Sequence, residues 1–420
     1  MRILYFTAEP PWPLDQGDKL RNYYLLRALA EKHDVFLVTF CSPGDYNGSW
    51  REKMKPLCRE IYTVPLLRST MVLNLLKNPL QPFTMAARKS SVMAELVRKL
   101  STENRYDLVF TCQLKMAGYL PFCTVGKKVA ELTDFLSIYR RRMCRFCKSL
   151  PSRILSNIEA TRLAYWEKKT AKLADLTILV SRTDADELRR LAPYAHVAVL
   201  PNGVDMNYFK PTFYTVTKER NKAPFGEATA PDLAPHIKQD RPLLLFYGHL
   251  RYPPNLDGIT WFIKKIFPHV RSVIPDAELM ILGKEAPRDL VKISEQSGVS
   301  LVGLVPDIRP YLVRADVVIA PLRFGAGVRN KILEAMAMGK AVVSTTLGCE
   351  GLEVVPGVHL EVADKPSDFA GAVIELLQKP EKRTRIGYNG RGLIKEKYDW
   401  KIIGERLRSD VENIFANERQ

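Results

Sequence analysis

Residues 321–345 read PLRFGAGVRNKILEAMAMGKAVVST, and the order of residue types in this stretch decides the fold. ADVVIAP (315–321) is a short apolar, β-branched run that stops at a proline. A loop with Gly325 and Gly327 follows, a helical pattern opens near Asn330, and KAVVST (340–345) returns to strand character. Strand, glycine loop, helix and strand in that order describe one unit of a parallel α/β sheet. Within it Lys331 and Glu334 lie three residues apart and share one helix face near the helix start. A cation beside helix-start amides suits a diphosphate, and a carboxylate one turn on can accept two hydrogen bonds from a ribose diol. The competing reading of the same spacing is an i,i+3 ion pair on the surface of an ordinary amphipathic helix.

The pattern extends outward in both directions. PLLLFYG (242–248), AELMILG (277–283) and SLVGLV (300–305) are strand candidates upstream, with helical stretches such as WFIKKIFPHVRSV between them and Pro268 marking a break. In the first half the candidates are RILYFT (2–7), DVFLVTF (34–40), IYTV (61–64), YDLVFT (106–111), KKVAEL (127–132) and LTILVS (176–181). Several are continuously apolar rather than alternating, as parallel strands buried on both faces are. Between the first two lies KLRNYYLLRALAEKH, whose Leu20, Tyr23, Tyr24, Arg27 and Ala28 follow helical spacing. A proline-rich stretch without sustained periodicity, residues 209–242, reads as a linker or surface insertion. The expectation is two doubly wound, Rossmann-like α/β domains facing a central cleft, 1–195 and 196–395, with ligands at the carboxyl ends of the strands.

Composition bounds the class. With 420 residues, 46% hydrophobic and 26% charged, the chain is neither disordered, collagen-like nor a small disulfide-stapled domain, and its length suits two or three domains. The net charge of +17 is unevenly placed: residues 1–200 hold 32 basic and 19 acidic side chains, residues 201–420 hold 31 and 27. The first half is therefore expected to meet something anionic, the alternative being a solvated basic face with no partner. The densest part is 51–172, with 24 basic against 9 acidic side chains and Ile138, Tyr139, Met143 and Phe146 among arginines. That composition points to an anionic membrane surface. No apolar run reaches the roughly 18 residues that span a bilayer. MRILYFTAEPPWP has a short apolar stretch, Glu9 and three prolines, and does not read as a signal peptide. Six of seven cysteines lie in the first half at irregular spacing, and Cys144–Cys147 has no second CxxC or His pair to complete a zinc site. Free thiols in a reducing cytoplasm fit this usage.

Two further stretches bear on chemistry. PPWPLDQGDKLR (10–21) joins the first strand to the first helix, and Gly17 just before a helix start lets backbone approach a ligand. Neither GxGxxG nor GxxxxGK[ST] is present. Asp184–Ala185–Asp186 has the DxD form of a metal–diphosphate site, but it follows Ser181 and Thr183 at a helix start, where acidic residues favour the macrodipole. No metal site is expected.

LEAMAMGKAVVST, preceded by a glycine loop and a strand, resembles the donor-site segment of the family 4 glycosyltransferases of GT-B architecture. Further matches follow in family order: PPWPLDQGDKLRNYYLLRALAEKHDV, LVSRTDADELRRL, LPNGVDMNYFKP (200–211), FYGHLRYPPNLDGITWF (246–262) and LVGLVPDIRPYLVRADVVIAPLRFGAG. The combination of PPWPLDQGDKLR, YPPNLDGITWF and GVRNKILEAMAMGKAVV is most similar to sugar transferases of bacterial exopolysaccharide (PEP-CTERM type) loci. The resemblance implies a retaining, metal-independent transferase without a cofactor. It implies a nucleotide-diphosphate sugar on the C-terminal domain and a glycan or polyprenyl-linked acceptor on the N-terminal domain. It also implies that a helix within 396–420 packs back on the first domain, and that the protein works in the cytoplasm, peripheral on the inner face of the membrane.

Residue by residue, the resemblance marks Lys331, Arg329 and Asp134 as catalytic. Gly17, Lys19, Asn202, His249, Arg251, Asn255, Gly327 and Glu334 are marked as substrate-binding. The family's paired glutamates are met by Glu334 at the second position and Ala326 at the first. Its usual Arg and Lys fall near His249 and Asn255, leaving Arg251, Arg329 and Lys331 to carry the phosphate charge, and its N-terminal histidine falls near Thr133 and Asp134. Two rival readings are a GT-B nucleotide-sugar epimerase, which shares the nucleotide site, and a basic nucleic-acid-binding protein, for which no recognition motif is present.

Overall fold

A computed structural model describes residues 1–45, 48–103, 105–124, 126–144, 149–211, 241–325 and 330–416. They form two units, one drawn from Met1–Asn202 and Trp400–Gln420, the other from Gly203–Gly325 and Arg329–Asp399. The N-terminal unit holds seven parallel strands: β1 (Arg2–Thr7), β2 (Asp34–Cys41), β3 (Glu60–Pro65), β4 (Leu108–Cys112), β5 (Lys127–Thr133), β6 (Leu176–Leu179) and β7 (Val197–Val199). Their order is β3-β2-β1-β4-β5-β6-β7. The C-terminal unit holds β8 (Leu243–Tyr247), β9 (Glu278–Leu282), β10 (Val299–Gly303), β11 (Val317–Ala320), β12 (Ala341–Ser344) and β13 (Glu361–Val362), ordered β10-β9-β8-β11-β12-β13. Both are doubly wound parallel sheets, the fold class the sequence predicts.

Each strand of the N-terminal sheet is apolar on both faces because each face has its own cover. Leu4, Phe6, Phe36 and Val38 face one core, while Ile3, Tyr5, Val35 and Leu37 face the other. The second core is closed by the helix Gly17–Ala30 and by the helix Trp400–Ala416, whose Trp400, Ile403, Leu407 and Val411 are buried there. Trp400 stacks on Tyr24 at 4.8 Å, and Arg408 donates to the carbonyl of Ala28 at 2.9 Å. In the C-terminal sheet Leu244, Phe246, Leu279, Ile281, Val317, Ile319 and Val343 share one core.

Several sequence expectations shift in the structure. β7 and β13, of three and two residues, were not anticipated, and β7 carries the first unit on to Asn202. The helix Gly17–Ala30 buries Arg21, Asn22, Tyr24, Leu25, Leu26, Ala28 and Leu29, whereas Arg27 is exposed. The expected apolar face was therefore rotated, because a fully buried arginine is not visible to a hydrophobic periodicity. Pro268 does mark a break: it lacks the N–H that Lys264 would accept from, and a π-helical turn (Phe262–Ile266) runs into the helix Phe267–Val273.

Strand order reverses between β1 and β4 in one unit and between β8 and β11 in the other. At such a switch point the loops leaving adjacent strands run in opposite directions and open a crevice at the carboxyl ends. The segments after β1 and β8 carry Gly17, Lys19, His249, Arg251 and Asn255, and the helix Asn330–Ala337 follows β11.

Candidate functional site

A side-chain hydrogen bond spans the C-terminal switch point. Lys331, second residue of the helix Asn330–Ala337, donates from Nζ to Oδ1 of Asn255 at 2.8 Å. Asn255 belongs to the helix Pro253–Trp261 after β8, and its Nδ2 donates to the His249 carbonyl at 3.0 Å. The Lys331 ammonium also lies 4.2 Å from the centroid of the Phe246 ring, and the Tyr247 hydroxyl donates to the Lys331 carbonyl at 2.7 Å. This lysine is only 9% exposed, so it is not half of a surface ion pair. The end of β8 admits it because position 248 has no side chain: a Cβ on Gly248, at φ +148°, would lie 2.9 Å from Asn255 Nδ2 and 3.3 Å from Lys331 Nζ.

Glu334 sits one turn further along, partly open to solvent. Burial pushes its carboxyl up to about 7, against the pull of the Tyr247 hydroxyl and the Lys331 ammonium. A buried cation held by a neutral amide, next to a carboxyl that keeps solvent access, can hold an anion at one point and a hydroxyl pair at the next. Phe246 and Tyr247 complete this arrangement and were not singled out in the sequence; the FYG triplet ending a strand was the available signal.

The loops around the pair are braced. Asp257 accepts from Nε and the terminal guanidinium nitrogen of Arg323 at 2.8 and 2.6 Å, tying the helix after β8 to the segment after β11. Gly258 rests so closely on that segment that a Cβ would lie 2.5 Å from the Pro321 carbonyl oxygen. Thr345, after β12, donates to the Leu322 carbonyl and accepts from the Gly348 amide at 2.9 Å. At the outer edge Nε2 of His249 lies 3.1 Å from Glu285, whose carboxyl is held low by that hydrogen bond, and Arg251 is exposed. Gly327 and Arg329 lie outside the described residues.

The N-terminal switch point is built differently. Gly17 opens its helix and is exposed, Lys19 pairs with Asp15 at 3.0 Å, and Asp18 accepts from Gln113 Nε2 at 3.2 Å. Gln113 follows β4 at φ +69°. Lys115 places its ammonium 3.8 Å from Asp18; burial lowers its pKa, Arg88 adds to that, and Asp18 and Glu9 oppose it. Lys115, Gln113 and Arg88 carried no sequence signal, since the helix Leu114–Ala117 has four residues and Arg88 follows another of four. Asp134 follows Thr133, itself at φ +65°, at the carboxyl end of β5 and is partly exposed. Asn202 is buried, and its Oδ1 accepts from Arg21 at 3.0 Å. Arg21 also donates to Glu131 at 2.9 Å and to the carbonyls of Leu200 and Pro201 at 2.9 and 3.1 Å.

Other expected features resolve as follows. Ser181 caps the helix Arg182–Leu191 by accepting from the Asp184 amide at 3.0 Å and donates to the Asp184 carboxylate, while Asp186 pairs with Arg189 at 2.9 Å. Both aspartates of the DxD thus serve the helix. Cys144 is buried, with its thiol on the Arg153 carbonyl at 3.5 Å, and Cys147 lies outside the described residues. Ile138 packs against the core, Tyr139 and Met143 are half-buried, and Phe146 lies outside the described residues. Among the described residues no helix is long and apolar enough to cross a membrane.

With this geometry in place, comparison with known proteins gives consistent matches in both units. The pattern of Glycosyltransferase Family 4 matches residues 21–208, and that of Glycosyl transferases group 1 matches residues 241–379. A protein of Klebsiella pneumoniae described as an uncharacterized 44.6 kDa protein in the cps region is 22% identical over 96% of this chain and 97% of its own. A GDP-mannose-dependent monoacylated alpha-(1-6)-phosphatidylinositol monomannoside mannosyltransferase of Corynebacterium glutamicum is 28% identical over 51% of this chain and 55% of its own. Among solved structures, sucrose-phosphate synthase from Thermosynechococcus elongatus superposes with a TM-score of 0.73 at 17% identity, covering 99% of both chains.

Proposed function

We propose that this chain, a glycosyltransferase by its two family patterns with a GT-B fold, is a retaining family 4 enzyme. It moves a sugar from a nucleotide-diphosphate sugar to a polyprenyl-linked glycan acceptor in the synthesis of a surface exopolysaccharide. The C-terminal unit takes the donor: Glu334 accepts from the ribose hydroxyls, and Lys331, with Arg251 and Arg329, carries the charge that faces the diphosphate. The observation that carries this reading is the Lys331–Asn255 bond across the C-terminal switch point, where a buried ammonium is held by a neutral amide. The N-terminal unit takes the acceptor, with Gly17, Lys19 and Asp134 on the carboxyl side of its sheet. The similarity to a mannosyltransferase whose name specifies a glycolipid acceptor supports the lipid-linked class, and the similarity to a cps-region protein supports the surface polysaccharide.

In the proposed reaction the bond between the anomeric carbon and the terminal phosphate oxygen breaks as the acceptor hydroxyl bonds to the same face of that carbon. The hydroxyl proton passes to the departing phosphate. Fixed positive charge where negative charge develops lowers the barrier without a protein nucleophile or a metal. The placement on the inner face of the cytoplasmic membrane rests on the basic N-terminal half. The test is a thermal shift with UDP, GDP and ADP. Saturation at about 100 times Kd adds about 2.7 kcal/mol, and at about 2–4 °C per kcal/mol for a domain of this size the shift is roughly 5–11 °C. No shift with any of the three overturns the donor site. The rival epimerase reading is separated by incubation with labelled nucleotide sugar and lipid extract, which only a transferase labels.

A further inference from the structure

The helix Arg68–Lys77 buries no residue at all. Val72, Leu73 and Leu76 on it are exposed, Leu76 by 75%, and Leu80 just beyond is exposed by 84%. Positions 72, 73 and 76 are three and four apart, so these side chains form one apolar stripe, and Leu80 lies in the turn beyond the helix. A second stripe lies on the first half of the helix Leu150–Leu173, where Leu150, Ile154, Leu155 and Ile158 are exposed. The short helix Phe83–Ala86 links them: the Phe83 amide donates to Glu159 at 2.7 Å, and Asn74 donates to the Lys89 carbonyl at 2.7 Å. Both stripes flank the carboxyl side of the N-terminal sheet. One helix begins directly after β3, and the other begins on that side and runs back to β6. A patch of this many exposed Leu and Ile on a helical surface marks a binding face.

The charge around the stripes says what covers them. Residues 61–94 contain Arg68, Lys77, Arg88 and Lys89 and no acidic residue; residues 135–158 contain Arg140, Arg141, Arg142, Arg145, Lys148 and Arg153 and no acidic residue. Among the described residues Arg68, Lys77, Lys89, Arg141 and Arg153 are exposed; this positive charge would repel a second copy of the same face, and it complements an anionic bilayer, into whose interface the leucines can insert.

We propose that this face, with Leu73, Leu76 and Leu80 inserted and Arg68, Lys77 and Arg141 at headgroup level, docks the N-terminal unit on an anionic lipid membrane. The proposal rests on the lipid-linked acceptor reading above and gives it a location. A docked carboxyl side sets the acceptor residues next to the lipid that carries the acceptor.

The test is co-sedimentation of the full chain with vesicles of phosphatidylcholine alone and of phosphatidylcholine with phosphatidylglycerol. Wild type is expected in the pellet only with the anionic vesicles, and Leu76→Glu/Leu80→Glu is expected to bind them about tenfold more weakly or less. Because both side chains are exposed, the variant should keep its melting temperature and its UDP or GDP affinity. A positive readout that needs no loss is Leu76→Trp, whose indole emission should shift to the blue on anionic vesicles and not on neutral ones. Equal binding by wild type and the double-glutamate variant, or an unshifted indole, overturns this surface while leaving membrane attachment intact. Wild type that ignores anionic vesicles overturns the surface, and labelling of lipid extract by the same protein then decides the lipid-linked acceptor separately. A wild-type dimer that the double-glutamate variant converts to monomer, without vesicle binding, assigns the face to a second copy and overturns the proposal.

Discussion

At the C-terminal switch point a buried ammonium, Lys331, rests against a neutral amide and an aromatic face, and burial holds the carboxyl one turn on, Glu334, near neutrality. At the N-terminal switch point three of the cations are paired with carboxylates: Lys19 with Asp15, Lys115 with Asp18 and, deeper, Arg21 with Glu131. Two sheets of the same winding thus carry opposite electrostatics at equivalent places. The first leaves positive charge facing the crevice, as an anionic ligand requires. The second compensates its charges internally and offers hydrogen-bonding groups, which suits a neutral polyol such as a sugar. On the proposed function, the difference separates charge that holds the fold from charge that would meet the donor.

The sharpest way to break this contrast is to delete one cation from each side. Arg21→Met strands Glu131 in the core and frees two backbone carbonyls, and should cost about 3–5 kcal/mol of stability, read in urea unfolding of the full chain. Lys331→Met, packed on Phe246, should leave the unfolding midpoint nearly unchanged and weaken nucleoside diphosphate binding by about tenfold to a hundredfold, or roughly 1.5–3 kcal/mol, while sparing the free nucleoside. Calorimetry with both ligands decides it; diphosphate affinity equal to wild type would move the pyrophosphate elsewhere.

Glu334→Gln should weaken nucleoside and diphosphate alike, by about tenfold. Its pH profile sharpens the assignment. Since the Glu334 carboxyl titrates at about 7 and accepts best when ionised, wild-type affinity for the free nucleoside should rise between pH 6 and pH 8 and that of the variant should stay flat. Asp134→Asn is expected to have the smallest effect on the donor, with unchanged donor affinity and transfer slowed by about tenfold at saturating donor. Transfer at the wild-type rate would remove Asp134 from the chemistry.

Much of this was readable before any coordinates. The strands from RILYFT to KAVVST fall within a residue or two of their observed ends because most are apolar, β-branched runs stopped by Gly, Pro or a polar residue. Lys331 and Glu334 were legible because their relation is local, three positions on one helix. Arg21 was not, although Lys19 beside it was singled out, because its partner Glu131 lies 110 residues away and nothing in the helix announces it. The same holds for β7 and β13, whose pairing is set by the sheet edge they meet and not by their own three and two residues. The exposed stripe on the helix Arg68–Lys77 was hidden for a related reason: an apolar helix face reads the same in sequence whether the fold covers it or leaves it bare.

The helix Trp400–Ala416 belongs to the unit that Met1–Asn202 begins, and 197 residues (203–399) stand between them in the chain. At about 5–20 residues per second, a ribosome that has finished the N-terminal strands works for roughly 10–40 s before making the helix that covers Tyr24, Leu25 and Leu29. Through that interval the emerging sheet carries an uncovered apolar flank while a second sheet is being made beside it. The order of synthesis therefore gives the protein a window of exposure in which a chaperone would bind, and it closes only when Trp400 reaches Tyr24.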